Sequence, residues 1–390
     1  MNNLSLLKSD YRVLGVLTLC LIYALCGSPT PDQFGLVELV IGALLVISIG
    51  LICFFDTLTK INKDRFWIGA GQFFLSYGLV VSTLNGALQG QDFSSMIRDI
   101  VPFLYLFLPL FFLPAMRQSP SFFLFLMVGN VVIGICFSVR SLYDHEALLY
   151  LENMPTVLLA CLLLLGGGIQ LLCSKKNGYY KMIALCLILV SALPILAMVM
   201  TLQRASMGAV FLYVLMILTY LFWTRPQSAV LPIFVIAAFM LGLFTAYGHL
   251  AEGFFDKTDK VGLNMRPQEF WAVWQILKSD PYHFLFGTGW GGTFHSPAVA
   301  NLRVNFTHNF FSSILLKTGV CGLILASTYI AGLLERLIRI ILANPVIGLA
   351  ISAPVLIDLL LYASFKSLDF GLVLLIIPAF LIYSRHSESS

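Results

Sequence analysis

Twelve apolar stretches, each close to the length that crosses a bilayer, limit what this chain can fold into more than any other feature. A hydrocarbon core about 30 Å thick takes roughly 20 apolar residues of helix, and within it every backbone N–H and C=O must be satisfied inside the protein. The stretches run over 11–27, 35–56, 67–87, 98–115, 121–139, 154–173, 181–201, 205–223, 228–248, 309–334, 342–363 and 369–384. Only 11% of the 390 residues are charged and 59% are hydrophobic, whereas soluble domains carry about 25% charged residues. The expected fold class is an all-α polytopic membrane protein of about twelve transmembrane helices, forming one transmembrane domain over 1–390. The stretches 98–115 and 121–139, split only by Met116–Pro120, could form a hairpin or a re-entrant pair. The first stretch follows Lys8 and Arg12 and reads as a membrane anchor, not a cleavable signal.

Lysine and arginine then set an orientation. With an even number of spans and the N-terminus inside, the short inner segments hold Lys8, Arg12, Lys60, Lys63, Arg65, Arg117, Lys175, Lys176, Lys181, Arg225, Arg336, Arg339 and Arg385. The short outer segments hold Arg98, Arg140, Arg204 and Lys366. Such a bias places both termini in the cytoplasm and the long loop 249–307 outside. The net charge of +4 is dispersed over short loops and gives no reason to expect nucleic acid as a partner. The eight cysteines lie in or beside apolar runs without CxxC spacing, as core-filling thiols do, so no metal is expected on them. The run Gly166-Gly-Gly168 has no counterpart in the other half, which argues for close helix packing and against the paired broken helices of a transporter.

The loop 249–307 carries Lys257, Lys260, Arg266, Lys278 and Arg303 against Glu252, Asp256, Asp259, Glu269 and Asp280. Arg266–Ser279 reads as an amphipathic helix along the outer surface, with Asn264 as a candidate cap, Pro267 in the first turn and Pro281 beyond the end. Its apolar surface would come from Phe270, Trp271, Trp274, Ile276 and Leu277, with tryptophan at headgroup level. Gly287-Thr-Gly289-Trp-Gly291-Gly292 reads as a tight turn, or else as a phosphate cradle, for which a preceding strand would be needed.

Several polar residues stand where chemistry at the outer face could occur. Arg204 sits at the start of a span, where an arginine either snorkels to headgroups or pairs its fixed donors with phosphate oxygens; Arg266 and Arg303 lie on the same side. His308 is either a hydrogen-bonded structural residue or a base, since an imidazole titrates near about 6.5. Asp256, Asp259 or Glu269 could serve as base in its place. Lys317 lies within a span, and Asp358 in the next one is its expected counter-ion, unless the lysine contacts a substrate.

Three segments in order resemble the superfamily of bacterial O-antigen ligases and O-antigen polymerases. They are Gln203-Arg204 at the start of a span, the loop pattern Arg266…Trp271…Pro281…Gly287-x-Gly289, and His308-Asn309-x9-Gly319-x-x-Gly322. Gly208 departs from the leucine that ligases often carry four residues after the arginine. The Arg-x10-Gly pattern of polymerases is missing, with Leu215 and Leu277 at the glycine positions. The ligases are therefore the nearer match. This resemblance implies a GT-C-type glycosyltransferase of the bacterial inner membrane, its active site facing the periplasm. It would transfer a polymeric glycan from undecaprenyl diphosphate to lipid A-core in lipopolysaccharide assembly, with inversion and without metal or nucleotide cofactor. Arg204 and Arg266 would bind the diphosphate and His308 would activate the acceptor hydroxyl, with Gln203, Asn309, Arg303 and Lys317 as further candidate contacts. The alternatives are a polymerase joining lipid-linked repeat units and, from another class, a flippase of lipid-linked sugar, hinted at by Lys317 and Asp358.

Overall fold

The computed structural model describes residues 2–26, 36–59, 66–118, 122–143, 154–174, 178–247 and 265–389. Helix α1 spans Asn2–Cys26. Next come α2 (Leu36–Ile49) and α3 (Leu51–Thr59), a pair bent by 63° where Gly50 adopts φ +73°. Helix α4 covers Phe66–Leu88 and contains a π-helical turn at Gly78–Ser82. The expected span 98–115 is broken into α5 (Phe93–Tyr105), α6 (Leu108–Phe111) and α7 (Leu113–Gln118). Pro102, Pro109 and Pro114 account for the breaks, because proline offers no N–H and crowds the preceding turn.

The next helices follow the apolar runs closely: α8 (Phe122–Tyr143), α9 (Pro155–Cys173), α10 (Gly178–Met200), α11 (Arg204–Thr224) and α12 (Pro226–Tyr247). The part of the loop that is described holds α13 (Arg266–Lys278), α14 (Pro281–Phe286) and a small antiparallel hairpin. The hairpin pairs β1 (Phe294–Ser296) with β2 (Leu302–Val304), His295 opposite Arg303. Three helices close the chain: α15 (Phe310–Ala343), α16 (Pro345–Leu360) and α17 (Leu368–Ser389).

The chain is a polytopic helical membrane protein. Among the described residues eight helices are long and apolar enough to cross a bilayer, and the bent α2–α3 pair would make a ninth. Stretches 11–27 and 342–363 contribute shorter apolar helices, Leu14–Cys26 and Pro345–Leu360. Helix α9 sits at the centre, touching α8, α10, α11, α12, α16 and α17. It approaches α11 and α16 closely because Gly166 leaves room for Tyr213 and Val346.

The loop is fastened into the bundle by backbone groups that two helices leave free. At the π turn, the carbonyl of Gly78 accepts from Trp290 Nε1 at 2.7 Å and that of Ser82 accepts from Trp290 N at 3.1 Å. Trp290 is 3% exposed and its ring lies 4.8 Å from that of Phe103. Helix α15 is interrupted at Gly319, which adopts φ +66°. The carbonyl of Leu316 there takes the N–H and hydroxyl of Thr288, that of Lys317 takes the N–H of Gly289, and that of Thr318 takes the Tyr77 hydroxyl. Free carbonyls inside a membrane protein are costly, so these bonds are what allow both helices to depart from regular geometry. Gly287, Gly289 and Gly291 all have positive φ, in keeping with the tight-turn reading of the Gly-rich run.

Candidate functional site

Helix α13 begins at Met265, which takes a left-handed conformation and caps without its side chain, followed by proline in the first turn. The cap expected at Asn264 lies outside the described residues, as do Asp256 and Asp259. The face of α13 turned inward is Glu269, Val273 and Leu277, one residue per helical turn. Val273 and Leu277 pack with Phe294 and with Leu315 and Leu316 of α15. Phe270 and Trp271, expected on the apolar surface of this helix with tryptophan at headgroup level, are 43% and 59% exposed. Asp280 caps α14 through its side chain, so Pro281 starts a new helix where α13 ends.

This register carries Glu269 to His308. The His308 backbone N–H donates to Glu269 Oε2 at 2.8 Å, and its ring Nδ1 lies 3.2 Å from both carboxylate oxygens. Ser296 Oγ donates to Glu269 Oε1 at 2.7 Å. An ionised carboxylate only accepts, so the shared proton belongs to Nδ1 and the lone pair of Nε2 is left for another partner. Glu269 is buried, while the His308 side chain keeps 20% exposure. Burial works to raise the Glu269 pKa, but the hydrogen bonds from the His308 ring and backbone and from Ser296 prevail and hold it below the ordinary glutamate value.

Arg266 is one turn from Glu269 on the same helix. Its guanidinium lies over the Tyr362 ring, 5.6 Å from the centroid, and its Nε has no acceptor among the described residues. Burial lowers the Arg266 pKa, the Tyr362 phenol opposes this, and repulsion from Arg204 adds to the lowering. A guanidinium remains charged at neutral pH under such a shift. Arg204 opens α11, and Tyr362 ties the two arginines together: its oxygen accepts from the Ala205 N–H and feels both cations. Gln203, just before Arg204, is 5% exposed, and neither polar atom of its amide has a partner among the described residues. Gln203, Arg204, Arg266 and His308 are thus gathered, directly or through Tyr362 and Glu269, at one end of the bundle.

Three other sequence candidates are occupied differently. Asn309 caps α15, accepting from the N–H groups of Phe311 and Ser312 while its amide donates to the Leu360 carbonyl. Arg303 is exposed on the hairpin and donates to Thr293 Oγ1 at 2.6 Å. Lys317 does not pair with Asp358. It donates to Asp99 Oδ2 and to the Gly292 carbonyl, and Asp99 also accepts from Lys366 Nζ at 3.1 Å and from the Gly291 N–H at 2.9 Å. Asp358 accepts from Ser364 Oγ instead. The glycine loop lies against this pair, with Gly291 N–H donating to Asp99 and the Gly292 carbonyl accepting from Lys317.

Glu269 as the partner of His308, together with Tyr362, Asp99 and Lys366, escaped the sequence reading. A signal existed for Asp99, a carboxylate within an apolar stretch, where burial demands a cation. No signal pointed to Tyr362. No protein-family model matches the chain, and no curated protein matches it.

Proposed function

We propose that this chain is a membrane glycosyltransferase of the O-antigen ligase type. In this reading it transfers a polymeric glycan from undecaprenyl diphosphate to lipid A-core at the periplasmic face of the bacterial inner membrane, on a GT-C-type scaffold with both termini cytoplasmic. The observation that carries the reading is a carboxylate-oriented imidazole, His308 on Glu269, one helical turn from Arg266, whose guanidinium shares Tyr362 with Arg204. In the reaction an acceptor hydroxyl attacks the anomeric carbon of the donor sugar. The new C–O bond forms as the bond to the diphosphate oxygen breaks, and the hydroxyl proton passes to His308 Nε2. Charge accumulates on the departing diphosphate, so arginines already in place stabilise the transition state more than the ground state. Glu269 fixes the tautomer of His308 and stabilises the imidazolium that forms, as a carboxylate behind a catalytic histidine does.

The test is transfer by the purified protein in lipid. His308→Ala is expected to lower the rate by about 10²–10⁴-fold, the usual contribution of a general base, with insertion unchanged. Arg204→Ala and Arg266→Ala should weaken donor use more than the corresponding lysine variants. Retention of near-normal transfer by His308→Ala would remove the base from the scheme. Donor supplied alone, against donor with lipid A-core, separates a ligase from a polymerase.

A further inference from the structure

Arg336, in the second half of α15, lies 28 residues beyond His308, on the order of 40 Å along the helix at 1.5 Å per residue. A cavity of about 130 Å³ opens there between α4, α7, α15 and α17, lined by Trp67, Arg336, Arg339, Arg385 and apolar side chains that include Leu381 and Ile382. Among the described residues, Glu335 engages Arg336 and Arg339 beside this cavity. Arg385 is exposed on α17. Arg336 is held in place: its Nη1 donates to the Gly332 carbonyl at 2.8 Å, and its guanidinium lies 4.7 Å from the centre of the Trp67 ring. Trp67 is 2% exposed, yet its indole N–H has no acceptor among the described residues. A buried donor of this kind ordinarily finds a partner.

We propose that this cavity binds a phosphate-bearing anion, supplied in the membrane by the headgroup of an acidic phospholipid. Excess positive charge draws the anion, a phosphate oxygen accepts from the Trp67 indole, and Leu381 and Ile382 offer an apolar wall to the first carbons of an acyl chain. Basic pockets between membrane helices take acidic headgroups on these grounds. The volume is that of about four waters, enough for a tetrahedral phosphodiester group. The site is independent of the glycan chemistry at the opposite end.

The experiment is native mass spectrometry of the full-length protein in detergent, titrated with phosphatidylglycerol or phosphatidylcholine. A site rich in arginine should favour phosphatidylglycerol by about fivefold or more, at roughly 1 kcal/mol per basic residue near the surface. Arg385→Gln, an exposed change with little risk to folding, should reduce that margin about fivefold. Trp67→Phe, which keeps the ring and removes the N–H, should weaken phosphatidylglycerol binding itself about tenfold. Lys181→Gln, an equal loss of charge at a helix end outside the cavity, should leave the margin intact. If the native protein shows no margin, or if Lys181→Gln erodes it as much as Arg385→Gln does, the proposal is overturned. Displacement of the lipid by millimolar inorganic phosphate would keep the anion site but assign it to a soluble phosphate, overturning the lipid as its source.

Discussion

Glu269 accepts hydrogen bonds from the His308 ring, the His308 backbone and Ser296 at once, and a carboxyl held in this way titrates differently from one in water. A pKa depressed in the folded state contributes stability that is fully present above the unfolded value, about 4.3 for glutamate, and is lost as pH falls through the lower folded value. Unfolding followed from neutral pH downward should therefore show a loss below about pH 4 that Glu269→Gln lacks; parallel curves would mean that the carboxylate is not held as described. The same variant offers an amide that can donate to Nδ1 and favour the wrong tautomer, so transfer should fall by roughly 10²-fold or more, with Glu269→Asp recovering part of it. Asp99 presents the complementary case, one buried carboxylate between Lys317 and Lys366. Asp99→Asn leaves the buried Lys317 ammonium without its counter-charge and should destabilise by about 3–5 kcal/mol, measured as a drop in melting temperature in detergent.

The elements that matter most are the irregular ones. Helix α15 delivers His308 and Asn309 at its start, breaks at Gly319, and hands the freed carbonyls to the glycine loop. A side chain at Gly319 would collide with the Leu285 carbonyl as well as demand an unfavourable φ. Gly319→Ala is expected to cost more than about 2 kcal/mol. Gly90 has a similar φ of +69° but open space around it, so Gly90→Ala should cost only about 1 kcal/mol. The difference between the two melting temperatures isolates the docking of the loop from backbone strain, and equal shifts would show that the loop does not depend on that close approach. The motif His308-Asn309-x9-Gly319 thereby acquires a physical meaning: a histidine, the cap of its helix, and the point where the loop that frames the site crosses that helix.

Across the whole molecule, the gathered His308, Arg204 and Arg266 lie at one end and Arg336, Arg339 and Arg385 at the other. If the first end faces the periplasm, a cysteine at exposed Lys278 should react with a membrane-impermeant maleimide on intact cells, in a background where Cys26 and Cys186 are serine. A cysteine at exposed Arg339 should react only after permeabilisation, and the reverse pattern would invert the orientation. Span positions were readable because the bilayer demands long apolar helices, which is a local property of sequence; α8 to α12 begin and end within a few residues of the apolar runs. Helix α13 was readable from its first-turn proline and its length. The break over 98–115 was written in Pro102, Pro109 and Pro114, although hydropathy alone passes over it. Pairing was another matter. That Glu269 meets His308, that Tyr362 stands between two arginines, and that Lys317 chooses Asp99 over Asp358 each depends on how helices distant in sequence are set against one another. Chain composition determines which side chains must leave lipid and find partners; only the packed bundle decides which partners they find, because hydrogen bonds and buried charges are satisfied over a few ångströms of space and not over any fixed number of residues.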